Sequence, residues 1–362
     1  MTGAKRTGPP LAALPALLIR GARQIVTMRG PVRARRGAEM AQIGVLNSAA
    51  MLVEGGRISQ LGPATRIENL SAARKAREID ASGCIVLPGL VDCHTHMVFP
   101  GSRLGDYAQR IAGASYEDIA GAGGGIQSTM RAVRAATVNA LQAAAERSAR
   151  LMARHGTLLA EAKSGYGLSV AAELKMLRAI GRAGGPVRLA PTCLGAHALP
   201  PEAAGDPDGY IADVCRSLLP EAARLHLAEF ADVYCDRGAF TVQQSARYLE
   251  AAAALGLGLR IHASQFSNIG AVELAVRLGA VSADHLEVIE PKQVALLAQS
   301  ETIAVLLPAS VLHLGLNRYA PARALIGAGA AIALATDFNP GSSPTPSLPL
   351  VMSLACAQMR MS

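Results

Sequence analysis

Along most of the chain, short apolar runs alternate with longer segments in which apolar residues recur every three or four positions. The short runs predict β-strands, and the longer segments predict helices that bury one face. After residue 84 we place eight such strands, which end near His96, Lys163, His197, Phe240, Gln265, His285, Ala309 and Asp337. The intervening helices include 170–183, 242–254, 271–278 and 291–299. Eight strand–helix units predict an α/β fold of the (β/α)8 TIM-barrel type, with a doubly wound sheet as the alternative.

The pattern differs nearer the N-terminus, where turns rather than helices separate the apolar runs. Gly55-Gly56 lies between two strand-like runs and predicts a tight β-hairpin. We therefore expect a small β-sandwich domain at 17–83, preceded by a loose basic segment at 1–16 and followed by the barrel at 84–362. The apolar stretch 85–91 predicts the first barrel strand, buried on both faces as in a parallel sheet.

Size and composition narrow the class of protein. With 362 residues, the chain is long enough for a large α/β domain and a smaller one. Its longest apolar runs are shorter than the ~20 residues of a membrane-spanning helix, so we expect no membrane partner. The six cysteines form neither a Cys-x-x-Cys pair nor a secreted disulfide pattern, which favours a reducing, cytoplasmic location.

The net charge of +8 is concentrated at the N-terminus. Residues 1–40 carry eight basic and one acidic side chains (+7), whereas the rest of the chain carries 27 and 26 (+1). A balanced barrel with few aromatic residues does not indicate a nucleic-acid partner. We interpret the basic end as a solvated segment rather than as a signal or transit peptide.

Polar residues occur where the predicted strands end, and this is the face on which barrel enzymes place their active sites. His94 and His96 are two positions apart, so on a strand both imidazoles point to the same side. Together with His262 and Asp337 they form a ligand set that suits one Zn²⁺ or Fe²⁺ ion. The alternative is that the histidines are unrelated and that Asp337 caps a helix.

Residues 88–96, Pro-Gly-Leu-Val-Asp-Cys-His-Thr-His, resemble the opening motif of the amidohydrolase superfamily. The chain as a whole, from about residue 17 to its end, resembles the imidazolonepropionase family of that superfamily. Lys-Ser-Gly-Tyr-Gly-Leu at 163–168 and Asp-Phe-Asn-Pro-Gly at 337–341 are specific to this family. The other matching stretches are 94–99 with Arg103, 112–119, 123–126, 194–197 and 282–287.

The resemblance implies hydrolysis of 4-imidazolone-5-propanoate to N-formimidoyl-L-glutamate, with one Zn²⁺ or Fe²⁺/Fe³⁺ ion per chain. It implies that Asp337 transfers the proton and that His285 stabilises the oxyanion. Arg103 would bind the propanoate carboxylate. The other residues implied in substrate binding are Tyr166, His197, Gln265, Asn339, Gly341 and Ser342. A homodimer is a possible assembly.

Three features bear on how closely the chain follows the family. Gln265 stands at a position that is Glu in some relatives, and a glutamine is no base, so proton transfer falls to Asp337 or His285. Gly123-Gly124-Gly125 is not a dinucleotide fingerprint, and we interpret it as a loop approached closely by other atoms. The chain ends at Ser362, several dozen residues before its relatives would, which predicts a small β domain that is truncated at the C-terminus.

Other hypotheses remain at this point. One is another mononuclear amidohydrolase, such as a deaminase or cyclic amidase. A two-metal enzyme with a carboxylated lysine is less favoured, because 231–240 contains no lysine. An inactive truncated paralogue is the non-enzymatic alternative.

Overall fold

The computed structural model describes residues 14–114, 118–119 and 122–362. Most of the predicted loose N-terminal segment and part of the matching stretch 112–119 lie outside these residues. The structure contains two compact units, one that ends at Pro88 and one that begins at Gly89.

The first unit consists of two β-sheets. The strands β1 (Leu17–Arg20), β4 (Ala49–Glu54), β5 (Arg57–Pro63) and β6 (Arg77–Asp80) form a four-stranded sheet in the order β5-β4-β1-β6. The strands β2 (Gln24–Val26), β3 (Val45–Asn47) and β7 (Ile85–Val86) form a three-stranded sheet in the order β3-β2-β7. The predicted hairpin is confirmed, since Glu54 pairs with Arg57. Gly55 and Gly56 make the turn with positive φ angles of 55° and 75°, which favour glycine.

Strand β4 forms the centre of this unit because both of its faces are buried. Ala50 and Leu52 pack with Ile67 of the short helix α1 (Ala64–Ile67) on one face. Met51 packs with Ile25 of the other sheet on the opposite face. The two sheets therefore meet face to face, as expected for a β-sandwich.

The prediction of one buried strand at 85–91 is wrong. Ile85–Val86 pairs with Gln24–Val26 in the first unit, whereas Leu90–Asp92 begins the second. Ile85 and Val91 are 52% and 53% exposed, so the apolar run is not covered on both faces. Pro88 has no backbone N–H to donate to a ladder, which separates the two short strands. The first unit thus ends at Pro88 rather than at residue 83.

The second unit is an eight-stranded parallel barrel, as predicted. Its strands lie side by side in chain order. They are β8 (Leu90–Asp92), β9 (Thr157–Lys163), β10 (Arg188–Ala196), β11 (Phe230–Cys235), β12 (Gly258–Ala263), β13 (Ser282–His285), β14 (Ile303–Leu306) and β15 (Ile332–Leu334). The first and last strands are joined just beyond their ends, where the His96 N–H donates to the Phe338 carbonyl at 2.9 Å.

Helices follow the strands at the spacing that the sequence predicts. Those in the described part of this unit are α2 (Leu104–Ile111), α3 (Gly125–Ala135), α4 (Val138–Arg154), α5 (Val170–Arg182), α6 (Pro207–Asp213), α7 (Leu219–Arg224), α8 (Val242–Ala254), α9 (Ala271–Arg277), α10 (Pro291–Ala298), α11 (Pro308–His313), α12 (Ala322–Ala328) and α13 (Leu348–Met359). A π-helix (Val214–Leu218) joins α6 to α7. Among the described residues, no helix is both long and apolar enough to span a membrane.

Four strands end three or more residues earlier than predicted. The first, fourth, seventh and eighth barrel strands end at Asp92, Cys235, Leu306 and Leu334. The polar residues predicted at these strand ends therefore lie in the loops that follow. Asp337, for example, has a positive φ of 53°, which no regular strand allows.

A buried hydrogen-bond pair ties the first barrel strand to the loop after the last. The fully buried Asp92 carboxylate accepts hydrogen bonds from the Thr336 N–H at 3.1 Å and the Thr336 hydroxyl at 2.6 Å. The same hydroxyl accepts the Phe338 N–H at 3.0 Å. This contact fixes the loop that carries Asp337.

We expect Thr336→Val to destabilise the barrel, because valine keeps the shape but leaves the Asp92 carboxylate short of a buried partner. The expected loss is about 1–3 kcal/mol in the free energy of unfolding, measured by urea titration. Ser82→Ala is the matched control, since it removes a hydroxyl–carboxylate bond of 2.6 Å to Asp80 at an exposed position. Equal losses in the two variants would show that the buried contact has no special role.

Candidate active site

Three imidazoles and one carboxylate converge at the carboxyl ends of the barrel strands. His94 and His96 come from the loop after β8, His262 from β12, and Asp337 from the loop after β15. The His262 and His96 Nε2 atoms are 3.3 Å apart. The Asp337 Oδ1 atom lies 3.6 Å from the Nε2 atoms of both His94 and His96. All four side chains are at least 96% buried.

Two buried carboxylates set the tautomers of two of these imidazoles. Asp284 Oδ2 lies 2.6 Å from His94 Nδ1, and Asp232 Oδ1 lies 3.1 Å from His262 Nδ1. A carboxylate accepts but does not donate, so each imidazole carries its proton on Nδ1. The Nε2 atoms of His94 and His262 therefore present lone pairs to the centre of the site. A carboxylate behind an imidazole is the usual support of a metal-binding histidine.

The donor set fits a metal ion. His94 Nε2 is buried and has no hydrogen-bond partner in the described part of the chain. Ligands that each lie about 2.0–2.1 Å from a tetrahedral ion are about 3.3–3.4 Å apart, close to the separations seen here. Burial lowers the pKa of His94 and of His96 well below the usual value, and it lowers that of His262 to about 3. Neutral imidazoles of this kind are suitable ligands for a divalent metal.

A layer of buried charges lies beneath these residues. The Lys163 ammonium is fully buried between Glu161 Oε1 at 2.7 Å and Asp232 Oδ2 at 2.5 Å. The Arg260 guanidinium lies 3.3 Å from Asp284 Oδ2 and 3.8 Å from Glu161 Oε1. Burial lowers the pKa of Lys163, but the two carboxylates outweigh it and raise the pKa above its usual value. The supporting carboxylates thus have permanent cationic partners.

Glu161 connects this layer to the loop that carries His94 and His96. Its Oε2 atom accepts the Thr95 N–H at 3.0 Å, and its carbonyl accepts the Thr95 hydroxyl at 2.6 Å. The Lys163 N–H in turn donates to the Thr95 carbonyl at 3.1 Å. The residue between the two histidines is therefore fixed on β9 at three points.

Asp337 and its neighbour His285 both have raised pKa values. Burial raises the pKa of Asp337 to about 6, against the effect of His285. His285 has a ring nitrogen within 4.8 Å of those of His94 and His262, and its Nδ1 atom is 3.5 Å from Glu287. Burial lowers the pKa of His285, but Glu287 and Asp337 outweigh it and raise the pKa. Its φ of 84° is rare for a residue with a side chain and is typical of a functional position.

Two of the residues implied in substrate binding, Tyr166 and His197, lie next to His96. The His197 ring stacks on that of His96, with centroids 4.9 Å apart, and Tyr166 lies 5.5 Å from His197. Burial raises the pKa of Tyr166, and the positive charge of Arg103 opposes this rise. Gln265 is half-buried immediately after β12.

The loop after Asp337 is held together by Asn339. The Asn339 Oδ1 atom accepts the N–H groups of Gly341 at 2.8 Å and Ser342 at 2.7 Å. Its amide nitrogen donates to the Asp337 carbonyl at 2.6 Å and to the Ser342 hydroxyl at 2.9 Å. Both ends of the amide are therefore engaged within the loop. Direct contact of Asn339 with the substrate stays a prediction.

The sequence reasoning gave no role to Glu161, Lys163, Asp232, Arg260 or Asp284. A signal for three of them was present in the strands. Glu161 and Lys163 are two positions apart, as are Arg260 and His262, within otherwise apolar strands. Because strand side chains alternate, each pair faces the inside of the barrel. Buried charges in such a pattern indicate an internal polar network.

Solved structures share the fold. An adenosine deaminase from Xanthomonas campestris with bound zinc is 20% identical, with a TM-score of 0.59, over 95% of this chain and 74% of the deaminase. The A. niger ochratoxinase is 15% identical, with a TM-score of 0.62, over 96% of this chain and 80% of that one. At these identities, only the fold is shown to be shared.

Sequence relatives are much closer. The imidazolonepropionase of Rubrobacter xylanophilus is 51% identical over 92% of this chain and 79% of its own length. That of Chloroflexus aggregans is 48% identical over 95% of this chain and 83% of its own length. A comparison with protein-family models found no match. With about half of its residues shared over nearly its whole length, this chain belongs to the imidazolonepropionase family.

Proposed function

We propose that this chain opens the ring of 4-imidazolone-5-propanoate by hydrolysis and releases N-formimidoyl-L-glutamate, a step of histidine degradation. The observation that carries the proposal is the convergence of His94, His96, His262 and Asp337 on one point in a chain of this family. The stacked rings of His96 and His197 lie beside that point, and the guanidinium of Arg103 lies against Gly341 in the loop that follows Asp337. A small anionic substrate would bind there.

The proposed cofactor is a single Zn²⁺ or Fe²⁺/Fe³⁺ ion, held by the four converging side chains. A second ion in this superfamily would need a carboxylated lysine. Lys163 is unsuited to that role because it is held as an ammonium between two carboxylates. The fourth barrel strand offers Tyr234 beside His262 instead of a lysine. A single ion is the arrangement that these residues favour.

The reaction adds water to the ring carbonyl carbon and breaks the bond from that carbon to the adjacent ring nitrogen. A metal ion held by His94, His96, His262 and Asp337 would supply a Lewis acid that activates water and polarises the carbonyl. The Asp337 carboxylate accepts the proton of the attacking water and passes it to the departing nitrogen. His285 donates an N–H to the carbonyl oxygen as negative charge develops there.

The remaining residues bind and orient the substrate. Arg103 presents a planar cation that can pair with the propanoate carboxylate through two parallel hydrogen bonds. Tyr166, His197 and Gln265 flank the ring. Gly341 and Ser342 come from the loop that Asn339 holds in place. We propose that the small-molecule substrate is the main partner, while the homodimer stays a prediction.

All six cysteines carry free thiols, a state that fits the reducing cytoplasm as the proposed location.

The direct test is turnover of 4-imidazolone-5-propanoate by the purified protein, followed by loss of the imidazolone absorbance and by detection of formimidoylglutamate. We expect turnover in a sample that holds about one metal ion per chain. A folded, metal-loaded protein without turnover on this substrate would contradict the proposal. Activity on a purine or another cyclic amide would then favour a different amidohydrolase reaction.

Asp337→Asn is expected to lower kcat by roughly 10²–10⁴-fold, because an amide cannot carry the proton. Circular dichroism and metal content would report whether fold and metal persist. Asp80→Asn, which changes an exposed aspartate, is the control. Turnover close to that of the unmodified protein would remove Asp337 from the proton transfer.

Asp284→Asn is expected to weaken metal binding by roughly 10–100-fold, because His94 loses the carboxylate that holds its tautomer. Competition with a chelator measures the affinity without reference to activity. Asp236→Asn is a matched control, since Asp236 is also buried but accepts loop N–H groups, including that of Phe266 at 2.9 Å. Equal affinities in the two variants would show that the Asp284–His94 contact does not support the metal.

A further inference from the structure

Arg103 does not lie free at the site but is held by a buried carboxylate. Its Nε atom donates to Asp106 Oδ2 at 2.8 Å, and both side chains are only 12% exposed. The contact uses the inner nitrogen of the guanidinium. The two terminal nitrogens, Nη1 and Nη2, form the fork that pairs with a carboxylate.

Asp106 is itself fixed by the glycine-rich loop at 123–125. Its Oδ2 atom also accepts the Gly125 N–H at 2.9 Å, at the start of α3. A Cβ atom on Gly124 would lie 2.7 Å from Asp106 Oδ1 and 2.9 Å from the Ile119 carbonyl oxygen. Only a glycine leaves room for the carboxylate in this position. The group that approaches this loop closely is therefore Asp106.

The guanidinium of Arg103 lies against a second glycine, Gly341. A Cβ atom on Gly341 would lie 2.6 Å from Arg103 Cζ and 2.9 Å from Nη2. Gly341 does not have a positive φ, so its backbone conformation is open to any residue. A side chain at position 341 would therefore displace the guanidinium of Arg103.

We propose that Asp106 is a positioning residue that, together with Gly341, holds the Arg103 fork in place for the carboxylate of the substrate. The proposal rests on the proposed function and deepens it. Asp106 fixes the guanidinium at Nε, and Gly341 provides the surface on which it lies. The two loops at 123–125 and 339–341 thereby determine the preference for a substrate with an anionic tail.

A pair of substrates tests this proposal. One is 4-imidazolone-5-propanoate, and the other is its uncharged propanamide analogue. For Asp106→Asn we expect KM for the propanoate to rise about 5–20-fold with kcat changed less than about twofold, since a mispositioned fork weakens binding rather than chemistry. For the propanamide we expect kcat/KM to be the same in the variant and the unmodified protein.

A variant at Gly341 keeps the test decisive if Asp106→Asn folds poorly, and a double variant tests whether Asp106 and Arg103 act together. Gly341→Ala displaces the guanidinium without touching Asp106. It should raise KM for the propanoate by a similar factor, with a smaller effect on kcat/KM for the propanamide. In an Arg103→Ala background, which itself raises KM for the propanoate, Asp106→Asn should have no further effect, because the two residues act as one unit.

Matched controls are available on the same chain. Asp213→Asn removes an aspartate that pairs with an arginine three residues away on an exposed surface. Gly327→Ala adds a methyl group where nothing lies within 4 Å. Both should leave KM unchanged.

The proposal is overturned if Asp106→Asn and Gly341→Ala leave KM for the propanoate unchanged. It is also overturned if both substrates lose kcat/KM equally, which would indicate a structural role. Absence of turnover by the unmodified protein would instead count against the proposed function. In that case, the positioning role is tested by calorimetry with 3-(imidazol-4-yl)propanoate, which is titrated into the unmodified and the Asp106→Asn proteins. We expect a Kd that is about 5–20-fold larger in the variant. An equal Kd in the two proteins would contradict the positioning role.

Discussion

The site depends on two buried hydrogen bonds, from His94 to Asp284 and from His262 to Asp232. Each places the imidazole proton on Nδ1 and so turns the Nε2 lone pair toward the centre of the barrel. Without these carboxylates, either tautomer would be available and the lone pairs would not converge. The ability of these imidazoles to bind a metal thus depends on the carboxylates behind them, which would not contact the metal themselves.

The need for the two buried carboxylates, Asp284 and Asp232, explains why buried cations also lie inside the barrel. A buried carboxylate is costly unless cations and hydrogen bonds surround it. Lys163 and Arg260 supply those cations, and Glu161 joins them to each other and to Thr95. Breaking such a network by removing one partner leaves an unpaired charge, so its members constrain one another. Strand register brings them together, since Asp232 lies opposite Arg260 and His262 lies opposite Asp284.

Much of this arrangement could be predicted from local pattern. Alternation of strands and helices gave the barrel, and the spacing of His94 and His96 placed both imidazoles on one side. Contacts between distant residues could not be predicted in this way, because periodicity carries no information on pairing. His94 and Asp284, which are 190 positions apart, are one example. The run 85–91 is another, since its first half pairs with Gln24–Val26 and its second half begins the barrel. The role of Asn339 within its own loop also required the geometry.

Anomalous X-ray diffraction from crystals of the metal-loaded protein, recorded at the zinc and iron absorption edges, tests the central claim most directly. The account predicts one anomalous peak per chain, about 2.0–2.2 Å from the Nε2 atoms of His94, His96 and His262 and from a carboxylate oxygen of Asp337. Two peaks in the barrel, or a single peak bound by other residues, would contradict it.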